Sequence, residues 1–329
     1  VYKKINQLLE KNNFSGSIVI KTKDQVVYHQ AFGYRDRANQ IENRTDTAFG
    51  IASGTKTFTA LGILKLIDQG RLTLDSKLFD YIERPYESYD KEVTLRQVLS
   101  HLSGLPDYYD EDLIEDFDNF TIDKPWHQLL KPSDYYSSMP DRPMKHKPNT
   151  VFHYNNGAYV FLAMVIEKLT GDYHQFIKDQ IIDPLKLNHT GFYKLDALPA
   201  NTALGYIEEA SAWRTNIYSL PIIGGGDGGL FTTTGDLVTL FDNLSNYKIL
   251  SKDLTDQMLK DQTPETSDDA YGYGLWIDDH RACMEGADAG VSFFTSYDPD
   301  KDLFYGLVSN TSHGVWDVLK DLKVLIQDL

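Results

Sequence analysis

Short apolar runs that read as strands occur at both ends of this chain, and helical or irregular text lies between them. Near the N-terminus, Gly16-Ser17-Ile18-Val19-Ile20-Lys21 and Gln25-Val26-Val27-Tyr28-His29-Gln30 read as two strands joined as a hairpin around Lys23-Asp24. Near the C-terminus, residues 272–277, Val291–Phe294 and Leu303–Val308 read as strands, followed by a helix over Val315–Leu329. Strands at both ends with helices between them predict an α/β (α+β) chain. Its antiparallel sheet draws on both termini and is flanked by helices, and a mostly helical subdomain is inserted on one side. The expected boundaries are an α/β part at about 1–75 and 225–329 and a helical part at about 76–224, forming one catalytic unit over 1–329. The cleft between the two parts is the natural place for a site.

Two helices stand out. Residues 55–69 carry Phe58, Leu61, Leu64 and Ile67 on a recurring face and stop at Gly70. Residues 157–169 are apolar nearly all round and end at Gly171, the pattern of a buried helix. From Leu72 to Asn216 the remaining text reads as helix or loop.

The charge balance narrows the function. With 48 acidic against 32 basic side chains, the formal charge is −16, which repels phosphate backbones and anionic lipid headgroups alike. Nucleic acid and membrane-surface partners are therefore not expected. The longest apolar run, Ala158–Ile166, has nine residues, about half of the ~18 that suggest a membrane span. The chain is therefore expected to be soluble, either cytoplasmic or exported with its signal peptide removed; the opening Val-Tyr-Lys-Lys-Ile-Asn, with neither an initiator Met nor an apolar signal segment, does not decide between them. One cysteine, Cys283, excludes an internal disulfide and a cysteine zinc site. The nine histidines form no His-Glu-x-x-His pair, so neither metal nor cofactor is expected.

Chemistry enters at Ser53-Gly54-Thr55-Lys56, where a serine at a helix start is followed three residues later by a lysine on the same helix face. A serine hydroxyl attacks well only when a neighbour takes its proton. A lysine does this only if burial or positive potential lowers its pKa far below ~10.4. The helix N-terminus adds positive potential and free N–H groups that suit an oxyanion hole. Taken alone, the same four residues also describe an N-cap serine beside a solvated lysine.

The flanks extend the pattern. Residues 47–60 around Ser53 and Lys56, the openings Phe14-Ser15-Gly16-Ser17 and Ala31-Phe32-Gly33-Tyr34, then Gly70-Arg71-Leu72-Thr73-Leu74-Asp75 and Leu99–Pro106 follow in order. Together they resemble the superfamily of class C β-lactamases and low-molecular-weight penicillin-binding proteins, over almost the whole chain. The resemblance implies the β-lactamase/transpeptidase-like fold and a serine hydrolase that forms an acyl-enzyme on an ester, amide or β-lactam carbonyl. Its partner is a small-molecule or peptide substrate with such a bond. The second family motif, Tyr-x-Asn, matches Tyr154-Asn155-Asn156; it implies Ser53, Lys56 and Tyr154 as catalytic residues and Asn156 as a donor to the substrate carbonyl. Tyr154 acts there either as a base or as a neutral proton relay.

The third motif departs from the family. Relatives carry Lys-Thr-Gly or His-x-Gly on a strand beside the nucleophile, and the corresponding place here is Met284-Glu285-Gly286. The missing cation disfavours substrates with a carboxylate, β-lactams and D-Ala-D-Ala peptides included, and leaves esterase or amidase chemistry open. Glu285, Gly286 and Ala287 are expected beside the substrate, with the Ala287 N–H completing the oxyanion hole. The acidic run Asp107, Asp110, Glu111, Asp112, Glu115, Asp116 and Asp118 either favours neutral or cationic substrates or is a solvated loop. The Gly224–Gly229 stretch lacks a phosphate-loop ending, and the resemblance implies that its backbone lines the site. A noncatalytic or singly acylated binding or sensor protein on the same fold is the alternative.

Overall fold

A computed structural model describes every residue except Asp24, Ser211 and Asp328, so the expected tip of the first hairpin at Asp24 and the penultimate residue of the last helix lie outside the described residues. Six antiparallel strands form the main sheet in the spatial order Trp276–Asp278, Arg281–Asp288, Val291–Asp298, Leu303–Ser309, Gly16–Thr22, Gln25–Phe32. The two termini therefore meet at its centre, where Gly16 pairs with Ser309 and Thr22 with Leu303.

Alternation along the strands divides the core into two layers. Ile18 and Ile20 point to the side covered by the terminal helices Tyr2–Lys11 and Trp316–Ile326, with Ile5, Leu9, Val318 and Leu322. Val19, Met284, Phe293 and Val308 point to the opposite side, into the large core built around the Thr55–Asp68 and Asn156–Thr170 helices. Each large apolar side chain enclosed there contributes about 1.5–3 kcal/mol relative to exposure.

The Thr55–Asp68 helix is buried nearly all round rather than on one face, because the sheet covers one side and the Asn156–Thr170 helix the other. At Gly62 the two helical layers touch so closely that a Cβ would meet Ile177 at 2.6 Å and Ile166 at 2.8 Å. The Asn156–Thr170 helix is capped by the Asn155 side chain, which accepts from the Ala158 N–H at 2.7 Å, and ends at Gly171 with φ 92°.

Three sequence expectations need correction. The strand expected over 272–277 runs from Trp276 to Asp278, because Gly274 takes φ 84° and breaks extended pairing before it. The Arg281–Asp288 strand carries Gly and two acids in place of clean alternation, and its strand character came only from the family likeness. The stretch read as helix or loop also holds a hairpin, Tyr206–Glu209 with Ala212–Thr215, too short and polar to show a period. No described helix is long and apolar enough to cross a membrane.

Candidate active site

Ser53 lies in a 3-10 turn, Ala52–Gly54, that leads directly into the Thr55–Asp68 helix. Ala52 sits at φ 46°, a region that costs a residue with a Cβ roughly 1–2 kcal/mol. The turn is held by Thr55 Oγ1, which donates to Ala52 O at 2.7 Å and accepts from Leu230 N at 3.0 Å.

Lys56, one helical turn on, is 1% exposed. Its Nζ donates to Ser53 Oγ at 2.9 Å, Asn156 Oδ1 at 2.7 Å and Asp227 O at 2.8 Å, which engages all three ammonium protons. Burial holds this amine below its usual value, while the carboxylates of Asp227, Glu111, Asp107 and Asp288 pull it back up.

Tyr154 precedes the Asn156–Thr170 helix. Its ring centroid is 4.8 Å from Lys56 Nζ, and the ring is held between His101 at 4.4 Å and Trp276 at 5.6 Å. Burial pushes the phenol well above its usual range, reinforced by Tyr271 and Glu111, and a hydrogen bond with Ser53 works in the other direction without overcoming it. The hydroxyl is therefore neutral at physiological pH.

Asn156 is drawn into the same cluster. Besides accepting from Lys56, it donates through Nδ2 to Tyr109 O at 2.9 Å and Glu111 Oε1 at 3.0 Å. The amide expected to donate to a substrate carbonyl is thus committed to protein acceptors, and a substrate must displace one of them. Asp107 fixes the helix start below it by accepting from the N–H groups of Asn156 at 2.6 Å and Gly157 at 2.8 Å.

At the third motif, Gly286 is packed so tightly against the nucleophile turn that a Cβ would lie 2.2 Å from Ile51 O and 3.0 Å from Ser53 N. Ala287 lines the cavity beside Ser53. Met284 is buried in the main core. Glu285 is not among the cavity-lining residues, and its charged neighbours are Lys323, Asp278 and Asp269. The structure therefore does not bring Glu285 to the substrate side.

Ser53 opens into a cavity. Trp126, Tyr135, Tyr193, Leu220 and Phe231 supply apolar wall, and the Gly224–Gly229 loop supplies backbone, as the family resemblance implied. Three carboxylates line it, Glu111, Asp227 and Asp288, with no Lys, Arg or His among the described lining residues. Burial, with help from the Asp227 carboxylate, pushes Asp288 up to about 7 against the pull of Lys56.

The acidic run divides between structural and cavity positions. Asp110 and Asp112 surround Lys145 with His153, Glu111 reaches the cavity, and Asp118 anchors the loop by accepting from Ser312 Oγ at 2.8 Å and, through its main-chain oxygen, from Arg214 Nη2 at 3.0 Å. Sequence reasoning missed Asp227 and Asp288 as cavity acids. The signal available for Asp227 was a lone carboxylate inside five glycines, where the backbone approaches its surroundings closely.

Comparison with known proteins gives the family of the chain. The sequence model of the family described as Beta-lactamase matches residues 2–328. Teichoic acid D-alanine hydrolase of Staphylococcus aureus is 29% identical over 304 residues, 91% of this chain and 71% of that protein. Among solved structures, a penicillin-binding protein from Bacillus halodurans superposes with a TM-score of 0.91 at 33% identity, covering 98% of this chain and 100% of that one. The octameric penicillin-binding protein homologue from Pyrococcus abyssi follows at TM-score 0.83 and 27% identity, covering 99% and 76%.

Proposed function

The chain belongs to the beta-lactamase family and is a serine hydrolase of that fold, and we propose that Ser53 is its nucleophile, with Lys56 as proton acceptor and Tyr154 as a neutral relay. The observation that carries this reading is the 2.9 Å contact between Lys56 Nζ and Ser53 Oγ at the mouth of a cavity. In the first half-reaction Ser53 Oγ bonds to the substrate carbonyl carbon as its proton passes to neutral Lys56, directly or through the Tyr154 hydroxyl. The tetrahedral oxyanion is met by the N–H groups of Ser53 and Ala287. Collapse breaks the bond to the leaving oxygen or nitrogen, which takes the proton, and leaves an ester on Ser53. Water then attacks that ester by the same route in reverse and releases the acid. Burial of Lys56 favours the neutral amine this cycle needs.

The substrate is an ester or amide, and the three cavity carboxylates, with no Lys, Arg or His among the described lining residues, favour one that carries an ammonium group rather than a carboxylate. The D-alanine named in the staphylococcal relative bears such an amino group. The same reading divides the chain into an α/β part at about 1–75 and 225–329 and a mostly helical part at about 76–224, with the cavity between them.

The test is a set of p-nitrophenyl esters matched in size: D-alanyl, propionyl and succinyl. The expected order of kcat/KM is D-alanyl, then propionyl, then succinyl, with at least about tenfold between the extremes, or ~1.4 kcal/mol. Equal rates would sink the charge preference and leave the serine mechanism standing.

A further inference from the structure

His101 is fully buried and holds a backbone angle of φ 58°, unusual for a residue with a side chain. Its Nδ1 accepts the Asn155 N–H at 3.0 Å, which places the ring proton on Nε2. Nε2 is itself buried and has no hydrogen-bond partner; the ring lies among those of Tyr159 at 5.0 Å and Tyr271 at 4.7 Å. A strained backbone and an orphaned buried donor each cost about 1–3 kcal/mol. Such costs persist where a geometry is needed.

That geometry is the bracketing of Tyr154. The His101 main-chain oxygen accepts from the His153 N–H at 3.0 Å, and its Nδ1 accepts from Asn155, so one residue holds the peptide on both sides of the tyrosine. Its ring also lies 4.4 Å from the Tyr154 ring, against which Trp276 stacks at 5.6 Å. We infer that His101 is a positioning residue that fixes Tyr154 over Lys56 and Ser53 by clamping the main chain before and after it and packing against its ring. The inference rests on the proposed role of Tyr154. Packing alone explains the ring contact but not the acceptor nitrogen, since a phenylalanine would fill the same space without the orphaned Nε2. Burial, with the charge of Lys56, holds the imidazole well below its usual pKa, consistent with the acceptor role of Nδ1.

The experiment compares p-nitrophenyl acetate hydrolysis by wild type, H101N, H101F, Y154F and the H101F/Y154F double variant. Asparagine tolerates positive φ and offers an oxygen near the Nδ1 position, whereas phenylalanine keeps the ring and loses the acceptor. H101F should lower kcat about 10- to 100-fold with KM nearly unchanged, the scale of a misplaced catalytic group. H101N should stay within about fivefold of wild type, and the double variant should match Y154F alone, because His101 acts through Tyr154. If H101F does not fold, H101Q replaces it, as its longer side chain carries the amide past the Nδ1 position. Full kcat in H101F, equal losses in H101N and H101F, or multiplying losses in the double variant would each overturn the inference while leaving Tyr154 in the reaction. Wild-type kcat in Y154F would instead remove Tyr154 from the mechanism, and the inference with it.

Discussion

The ammonium of Lys56 donates to the main-chain oxygen of Asp227 at 2.8 Å, tying the nucleophile helix to a glycine-rich loop 171 positions further along the chain. This bond, with those to Ser53 and Asn156, occupies every proton of the lysine, so accepting the serine proton requires that Lys56 first lose one. Lys56→Met should lower kcat for an activated ester by about 10²- to 10⁴-fold, the usual contribution of a general base. Lys56→Arg should do no better, because a guanidinium keeps its proton. Steady-state hydrolysis of p-nitrophenyl acetate by both variants checks this; an active Arg variant would show that only the positive charge is needed.

Asp288 supplies a pH dependence. Its carboxyl is raised to about 7 by burial and by Asp227, so it is neutral below that pH and negative above it. Preference for a trimethylammonium-bearing ester, whose charge does not titrate, over a neutral ester should therefore grow between pH 6 and pH 8, and Asp288→Asn should flatten the curve. The same shift has a stability sign. The folded state holds a proton that the unfolded chain releases at ordinary carboxylate pH, so this contribution is full at low pH and lost as pH rises through about 7. Above pH 7 the Asn variant should melt higher than its parent, and below pH 4 the gap should close; a melting-temperature series across pH 4–9 measures both.

The readability of these features in the sequence follows from how local each one is. Ser53 and Lys56 are three residues apart at a helix start, a spacing that puts both on one face, whereas Tyr154 and Asn156 were picked out by the resemblance to the family's second motif. The sheet was visible because Ile18, Val19 and Ile20 form a short apolar run, which the fold then divides between two cores. Asp227 and Asp288 were not visible because their meeting depends on a loop and a strand folded from distant parts of the chain. Glu285 was carried over from the place of the family's third motif, and a motif position does not by itself fix which way a side chain points.

Gly286 gives a prediction about packing. A Cβ there would lie 2.2 Å from Ile51 O, so Gly286→Ala must shift either the strand or the turn that holds Ser53. Overpacking of this kind costs about 1–3 kcal/mol, and a chain of this size loses roughly 1–2 °C in Tm per kcal/mol. The variant should melt several degrees lower and lose kcat out of proportion to any change in KM. Thermal melts paired with ester kinetics test this, and unchanged kcat would show that the strand does not set the position of Ser53.

The most direct test of the account is intact-mass spectrometry after rapid quench of a reaction with p-nitrophenyl acetate, run in parallel on wild type and Ser53→Ala. One acetyl group per wild-type chain, mapped to the peptide containing Ser53 and absent from the variant together with turnover, is the predicted result. Acetylation mapped to another residue, or undiminished turnover in Ser53→Ala, would contradict Ser53 as the nucleophile.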